Sequence, residues 1–195
     1  MPRVKTPTGA RARLQRAALD LFRERGYDQT TAAEIAERAG VTERTFFRHF
    51  PDKREVLFGG EDALYDALAA ALADAPDDLG PLDALLWALQ AIRPMVEGYR
   101  PFTEPRHSVI SATPALRERE LTKRAALAVA VADALAGRGV SGPLAGLAAQ
   151  IGVAAFLHAV VSWFDAPERG LSEHLDLAFR ELRALLNGES PSRRD

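Results

Sequence analysis

The amino-acid sequence predicts an all-α protein, in which a small N-terminal helical bundle is followed by a larger C-terminal one. Apolar residues recur at helical spacing through most of the chain. No stretch alternates apolar and polar residues between turn signals in the way that a strand would. Glycine and proline interrupt the helical pattern at intervals that fit helix ends.

The first two predicted helices are bounded by recognisable start and stop signals. The first runs from Thr8 to Arg25, with an apolar face that ends at a glycine, Gly26. Thr31 and Glu34 form the pattern of a capping box, which predicts the start of a short second helix. The Ala39-Gly40-Val41 stretch ends it.

The remaining predicted helices are identified by similar capping residues and apolar spacing. Thr42 caps a third helix to about Phe50, and Asp52 with Glu55 caps a fourth through about Ala73. Long helical segments follow at about 82–98, 114–136, 142–165 and 171–187. Segment 94–113 contains three prolines and is expected to be irregular, as a moving connection.

Composition excludes several classes of chemistry. The 195 residues include no cysteine, so disulfides and cysteine-based metal or nucleophile sites are impossible. The four histidines share no metal-like spacing, and no phosphate loop or nucleophile motif occurs. We therefore expect no enzyme, cofactor or metal. The N-terminus MPRVKTPTGARAR lacks the apolar core of a signal peptide, which predicts a cytoplasmic location.

Charge is distributed unevenly along the chain. Residues 1–55 hold 12 Lys and Arg against 8 Asp and Glu, whereas the remainder has a net charge of −6. The first part is therefore expected to meet an anionic partner, although a modest positive charge also serves solubility.

The stretch TERTFFRHF, residues 42–50, separates into two faces when it is placed on a helix. At about 100° per residue, Phe46 and Phe50 point one way, while Arg44 and Arg48 point the opposite way. Phe47 falls on the flank, at about 100° from Phe46. The two alternatives are a solvated basic face and a surface that binds DNA.

The neighbouring helices favour DNA binding. A short helix, a glycine-containing turn and a second short helix form a helix-turn-helix, whose second helix enters the major groove. Arg44 and Arg48 suit the O6 and N7 atoms of guanine, and we expect at least one guanine in each half-site. Thr31, His49 and Lys53 are candidates for phosphate contacts.

The stretch AALDLFRERGYDQTTAAEIAERAGVTERTFFRHFPDKREVL is similar to the DNA-binding domain of the TetR (tetracycline repressor-like) family, with the likeness covering residues 10–58. The resemblance implies a dimeric repressor that a small molecule releases from DNA, with a DNA-binding domain in 1–55 and an effector-binding and dimerisation domain in 56–195. It also implies that Thr31, Thr42, Phe47 and Lys53 lie along the DNA backbone, and that Arg44, Thr45 and Arg48 lie nearer the bases.

Two residues depart from the family pattern. Phe47 occupies a position where the family usually has a tyrosine that donates a hydrogen bond to a phosphate. Arg44 occupies a position where a small residue such as glycine is common, so its side chain reaches further.

The segment 142–164 contains no charged residue and is long enough to span a membrane. Its many small residues, its polar Gln150 and His158, and the absence of a basic flank favour a buried helix of a soluble bundle instead. The resemblance implies a homodimer through helices at about 142–165 and 171–187, which would require a pseudo-palindromic operator in double-stranded DNA.

The effector is expected to be largely apolar, because the C-terminal half offers few polar groups. The candidate contact residues are aromatic or histidine side chains on apolar helices, each of which is also a reasonable core or surface residue: Trp87, Tyr99, Phe102, His107, Phe156, His158 and Trp163. Arg106, Arg117 and Arg119 suit either an acidic effector or a solvated charged surface. A ligand-independent DNA-binding activator or architectural protein is the alternative function.

Overall fold

The computed structural model describes residues 9–59 and 61–188, and the all-α prediction is confirmed there. The described elements are α1 (Ala10–Arg25), α2 (Ala32–Arg38), α3 (Glu43–His49), a 3-10 helix (Glu55–Leu57), α4 (Glu61–Asp74), α5 (Pro81–Ala112), α6 (Pro114–Gly137), α7 (Gly142–Asp165) and α8 (Leu171–Leu186). Most of the N-terminal stretch used to predict location lies outside these residues.

The chain packs as two compact units. The first contains the described part of Met1–Glu61 together with Gly98–Thr122, and the second contains Asp62–Glu97 with the described part of Lys123–Asp195. Both units therefore take residues from α5 and from α6. The functional division into 1–55 and 56–195 remains a prediction.

The core of the first unit joins α1, α2, α3 and the 3-10 helix to the residues that α5 and α6 contribute. Leu14 and Ile35 are fully buried, and Val109, Ile110 and Leu116 lie in the same apolar cluster. The helix-turn-helix thus shares its core with residues more than fifty positions further along the chain.

The core of the second unit is formed by α4 and α8 with α7 and the remaining parts of α5 and α6. Gly152 allows α7 to approach α5 closely, because a Cβ there would lie 2.3 Å from Leu85 Cδ2. By length and composition α7 is apolar enough to cross a membrane, and 39% of its most apolar 18-residue window is buried inside the protein. It packs against α8, as a core helix of a soluble bundle would.

The expectation that 94–113 is irregular was wrong, because α5 continues to Ala112. Its prolines, Pro94, Pro101 and Pro105, fall within about 40° of one another around the helix axis. Pro94 and Pro101 are exposed. Burial of Ile92 in one core and Ile110 in the other stabilises the helix on both sides of the prolines.

The fourth helix begins later than the sequence predicted. Asp52 holds the turn that precedes a short helical segment, since its Oδ1 accepts from the backbone amides of Arg54 at 2.7 Å and Glu55 at 3.0 Å. That segment is the 3-10 helix, and α4 starts only at Glu61. The intervening Gly59 lies against the Arg11 guanidinium, which a Cβ would approach to within 2.1 Å.

Candidate nucleic-acid interface

The second and third helices form the predicted helix-turn-helix. The turn passes through Gly40, whose φ of 66° is one that glycine adopts easily. The amide of Val41 donates to Ala36 O at 2.9 Å, which closes the turn against α2. Thr42 then caps α3, with its hydroxyl accepting from the Thr45 amide at 3.2 Å.

The start of α2 carries the predicted capping box. Thr31 Oγ1 accepts from the Glu34 amide at 3.2 Å, and the Thr31 amide donates to Glu34 Oε2 at 2.8 Å. The backbone and side-chain hydrogen bonds from Thr31 hold the pKa of Glu34 below its usual value. The Thr31 hydroxyl also donates to that carboxylate, so a phosphate contact would compete with the cap.

The two faces of α3 are as the helical geometry predicted. Phe46 and Phe50 are 0% and 1% exposed, and burying each contributes about 1.5–3 kcal/mol. Arg44 and Arg48 are exposed on the opposite side, one turn apart. Phe47 is 50% exposed, with its ring edge-on to Phe46 at 5.3 Å. The arginines and Phe47 therefore form one accessible surface.

Thr45 and His49 complete the residues that the sequence singled out on α3. The Thr45 hydroxyl lies 3.1 Å from that of Thr42, so these two side chains form a pair at the start of the helix. His49 is half-buried, and its Nε2 is enclosed without a hydrogen-bond partner among the described residues. A phosphate contact from His49 would therefore have to use Nδ1.

Lys53 has partners that the sequence did not reveal. Its Nζ donates to Tyr27 O at 2.7 Å and to Thr30 O at 2.8 Å, and it lies 4.0 Å from the centroid of the Tyr27 ring. Partial burial lowers the pKa of Lys53, while the negative charges of Asp28 and Glu34 act in the opposite direction. No sequence pattern indicates which carbonyl groups a lysine will meet.

Arg106 and Arg119 also form contacts that sequence reasoning missed. Arg106 donates to Leu57 O at 2.6 Å and to Glu120 Oε2 at 2.8 Å, with both charged side chains only 15% exposed. Arg119 forms a two-point ion pair with Glu55. The clustered charges of 117–120 were the only available signal, and they did not identify their partners.

The seven candidate effector residues are divided between the two units and differ in burial. Phe156 and Trp163 are buried in the core of the second unit, whereas Phe102 packs on the core of the first. The other four are exposed or half-buried: Trp87, Tyr99, His107 and His158.

An apolar cleft of the second unit lies between α4 and α6 and is lined by Tyr65, Leu68 and Leu127, among others. Its accessible volume is about 0 Å³, whereas ligand pockets usually hold roughly 300–1,000 Å³. Within the described residues, no group of three potential metal ligands is close enough to hold an ion.

Comparison with known proteins agrees with this geometry. Residues 14–59 match the model of "Bacterial regulatory proteins, tetR family", and residues 79–187 match that of "MftR C-terminal domain". The regulator TcmR of Streptomyces glaucescens is 44% identical over 82 residues, which cover 42% of this chain and 36% of TcmR. The class A tetracycline repressor from transposon 1721 of Escherichia coli is 46% identical over 55 residues, which cover 28% of this chain and 24% of that protein.

These curated relatives are thus matched over less than two thirds of their length. A solved structure is similar over nearly the whole chain: FadR of Thermus thermophilus, described as a TetR-family transcriptional repressor in complex with lauroyl-CoA. It is 26% identical, with 94% of this chain and 97% of that chain covered and a TM-score of 0.57. The relatives are regulators, in agreement with the expectation that the chain is not an enzyme. The chain belongs to the TetR family of bacterial transcriptional regulators.

Proposed function

We propose that this chain is a cytoplasmic, dimeric repressor that binds a pseudo-palindromic DNA operator through α3. The observation that carries the proposal is the exposed pair of arginines, Arg44 and Arg48, on the second helix of a helix-turn-helix. An arginine is able to bond both acceptors of a guanine in the major groove. Each base-reading helix therefore presents two candidates for direct base recognition.

The remaining site residues take roles along the DNA backbone. Thr45, next to Arg44 on α3, is assigned to the bases, and Thr31, Thr42 and His49 are assigned to phosphates as part of this proposal. Phe47 has no hydroxyl, and its exposed ring is suited to apolar contact with a sugar or a thymine methyl group.

Binding-site selection from a randomised duplex pool tests this proposal. The wild-type protein should recover an inverted repeat with at least one guanine in each half-site. Arg44→Ala or Arg48→Ala should relax the preference at that guanine, with about 1–3 kcal/mol of discrimination lost. If both variants select the same sequences as the wild type, the assignment of these arginines to bases is contradicted.

The exposed apolar residues of α7 support the proposed dimer. Leu144 and Leu147 are 49% and 59% exposed on a helix that carries no charge before Asp165. On α8, Leu185 and Leu186 are also exposed. A two-fold partner would bury these side chains, as isologous dimers do.

Sedimentation equilibrium tests the dimer. Leu147→Glu should shift the wild-type dimer toward monomer, because it places a charge in the proposed apolar contact. Leu121→Glu provides a matched control, since Leu121 is a similarly exposed leucine on α6. A monomeric wild type, or equal effects of the two substitutions, would exclude this interface.

Release by a small apolar effector is the second half of the proposal. FadR of Thermus thermophilus was solved with lauroyl-CoA, a molecule with a long apolar chain. The cleft between α4 and α6 is smaller than such a ligand, so a molecule of this kind would enter it only if these helices separated. The small cleft also favours the alternative, a regulator that ignores ligands.

A gel-shift titration with lauroyl-CoA and with unacylated CoA discriminates between these two functions. Release by the acylated compound alone supports the effector proposal for an apolar chain. If neither compound weakens DNA binding and neither raises the thermal midpoint of the free protein, ligand control by this class of molecule is excluded.

A further inference from the structure

We propose that Glu43 is a specificity-determining residue, which accepts a hydrogen bond from the N4 amino group of a cytosine in each half-site. The inference rests on the proposed DNA-binding function and adds a second base to the guanine already assigned there. Glu43 carries a negative charge on the helix that is proposed to enter the major groove, where the neighbouring phosphates are also negative.

Glu43 is the first residue of α3, directly after the capping residue Thr42, and it is exposed. In a helix-turn-helix, the N-terminal residues of the second helix are the ones that contact base edges. Arg44, the proposed guanine contact, is the next residue along the chain. Glu43 therefore lies in the part of α3 from which side chains reach bases.

The carboxylate of Glu43 has no hydrogen bond or ion pair within the described residues. Other carboxylates of the first unit are engaged: Glu34, Asp52 and Glu55 are each paired with an arginine. An unpaired carboxylate on a DNA-binding surface is repelled by phosphates. The Glu43 carboxylate thus needs a donor from outside the protein, and a base edge can supply one.

Cytosine supplies the donor that best fits a carboxylate. In the major groove cytosine presents only its N4 amino group, whereas the N6 amino group of adenine lies beside the N7 acceptor. Guanine and thymine present acceptors there. Because an ionised carboxylate can only accept hydrogen bonds, Glu43 should favour cytosine and disfavour the acceptor atoms of the other bases.

The spacing of the chain suggests where this cytosine lies. Successive Cα atoms are about 3.8 Å apart, and successive base pairs are separated by about 3.4 Å. Glu43 and Arg44 therefore span about one base-pair step. We expect the cytosine beside the guanine that Arg44 contacts.

A carboxylate in the first turn of a helix has a second possible role. It stabilises the helix, because the N-terminal end carries a partial positive charge. Glu43 lies in the first turn of α3, so its charge contributes to the helix with or without DNA. That contribution is the same for every DNA sequence. Sequence preference therefore separates the two roles.

Binding-site selection with Glu43→Gln provides the first test. Glutamine has a similar shape, but it bonds N6 and N7 of adenine. The wild-type protein should select cytosine beside the guanine, and Glu43→Gln should select adenine at that position. The preference for cytosine over adenine should fall by about tenfold or more. Identical preferences of the two proteins, or an affinity that changes equally for all duplexes, overturn the proposal.

Glu37→Gln is the matched control. Glu37 is also exposed, lies on α2, and has a carboxylate without a partner within the described residues. The substitution removes the same charge from the helix that precedes the turn, so this variant should select the same duplex as the wild type. A switch from cytosine to adenine by both variants would show that charge alone moves the preference, which contradicts the contact.

A modified duplex tests the contact on the wild-type protein, without relying on the fold of a variant. N4-methylcytosine still pairs with guanine, but a methyl group replaces the N–H that faces the major groove. At the selected cytosine, this change should weaken wild-type binding by about tenfold. Unchanged affinity for the methylated duplex refutes the contact. Failure of the wild type to select any duplex refutes the DNA-binding function itself, which is a distinguishable result.

Discussion

The Arg106–Glu120 ion pair is expected to contribute substantially to the stability of the first unit. Arg106→Met removes a cation that bonds to Glu120 and to Leu57 O, and whose guanidinium lies 4.8 Å from the centroid of the Phe58 ring. The substitution leaves a carboxylate that is only 15% exposed without this partner. Breaking a fully buried pair costs about 3–5 kcal/mol, and the residual exposure places our expectation near the lower limit, about 3 kcal/mol.

Hydrogen exchange measured by mass spectrometry is the suitable assay. Both tryptophans, Trp87 and Trp163, lie in the second unit, so their fluorescence does not report on the first. Peptides that span residues 50–58 do report on it, because they contain the backbone that Arg106 holds. The free energy of opening at these amides should fall by the amount given above.

Two further variants test whether the loss comes from the uncompensated carboxylate of Glu120. Arg106→Met combined with Glu120→Leu should recover much of the loss, since the carboxylate that Arg106 neutralised is then removed as well. Arg38→Met, which breaks the exposed Arg38–Glu24 pair, should change exchange little. A cost of less than about 1 kcal/mol for Arg106→Met, or a double variant no more stable than the single one, would refute this role of the ion pair.

Three other substitutions have expected outcomes. Asp52→Ala should cost the first unit about 1 kcal/mol, because the amides of Arg54 and Glu55 lose the carboxylate that accepts from them. Burial, the largest influence, acts to raise the pKa of Asp52, but hydrogen bonds from Glu55 and Arg54 outweigh it and lower the pKa. This stabilisation should be complete above the unfolded-state pKa, about 4, and should disappear as the pH falls through the lower folded-state pKa. The free energy of unfolding, measured against pH for the wild type and for Asp52→Asn, will test this expectation. Gly152→Ala should destabilise the second unit by about 1–3 kcal/mol in urea unfolding followed by tryptophan fluorescence, because the new Cβ would overlap Leu85; unchanged stability would contradict the close approach. Phe47→Tyr should leave stability unchanged and tighten DNA binding by about 1 kcal/mol per subunit in a gel shift; unchanged binding would show that the exposed ring does not face a phosphate.

Local signals in the sequence were sufficient for most of the first unit. The capping box at Thr31 and the cap at Thr42 depend on residues three positions apart, so a single turn of helix specifies them. The opposite directions of Phe46 and Arg44 follow from helical geometry alone. These features were predictable because their physical cause lies within a few residues.

Features that depend on distant residues were not predictable. The carbonyl groups bonded by Lys53 lie 23 and 26 positions earlier, and the chain must fold before they meet. Apolar periodicity marks which face of a helix is buried, but it does not say which other helix covers that face. The sequence therefore did not show that Ile110 and Leu116 belong to the core of the helix-turn-helix.

The prolines of α5 do not interrupt the helix, contrary to the expectation from the sequence. A single proline in a helix removes one hydrogen bond, and three within twelve residues suggested an irregular segment. The helix persists because the prolines share one side, on which Pro94 and Pro101 are exposed, while residues on the opposite side are buried in the core. A proline pattern should be interpreted together with the face on which it falls.

The presence of Gly98–Thr122 in the first unit has a consequence for protein engineering. A chimera made with one crossover near residue 61 would transfer the helix-turn-helix without Val109, Ile110 and Leu116, which complete its core. The transferred segment would expose apolar surface and would lack the partner of Glu55 on α6. Exchange of DNA specificity between this chain and a relative therefore calls for two transplanted segments, or for substitutions confined to the exposed face of α3.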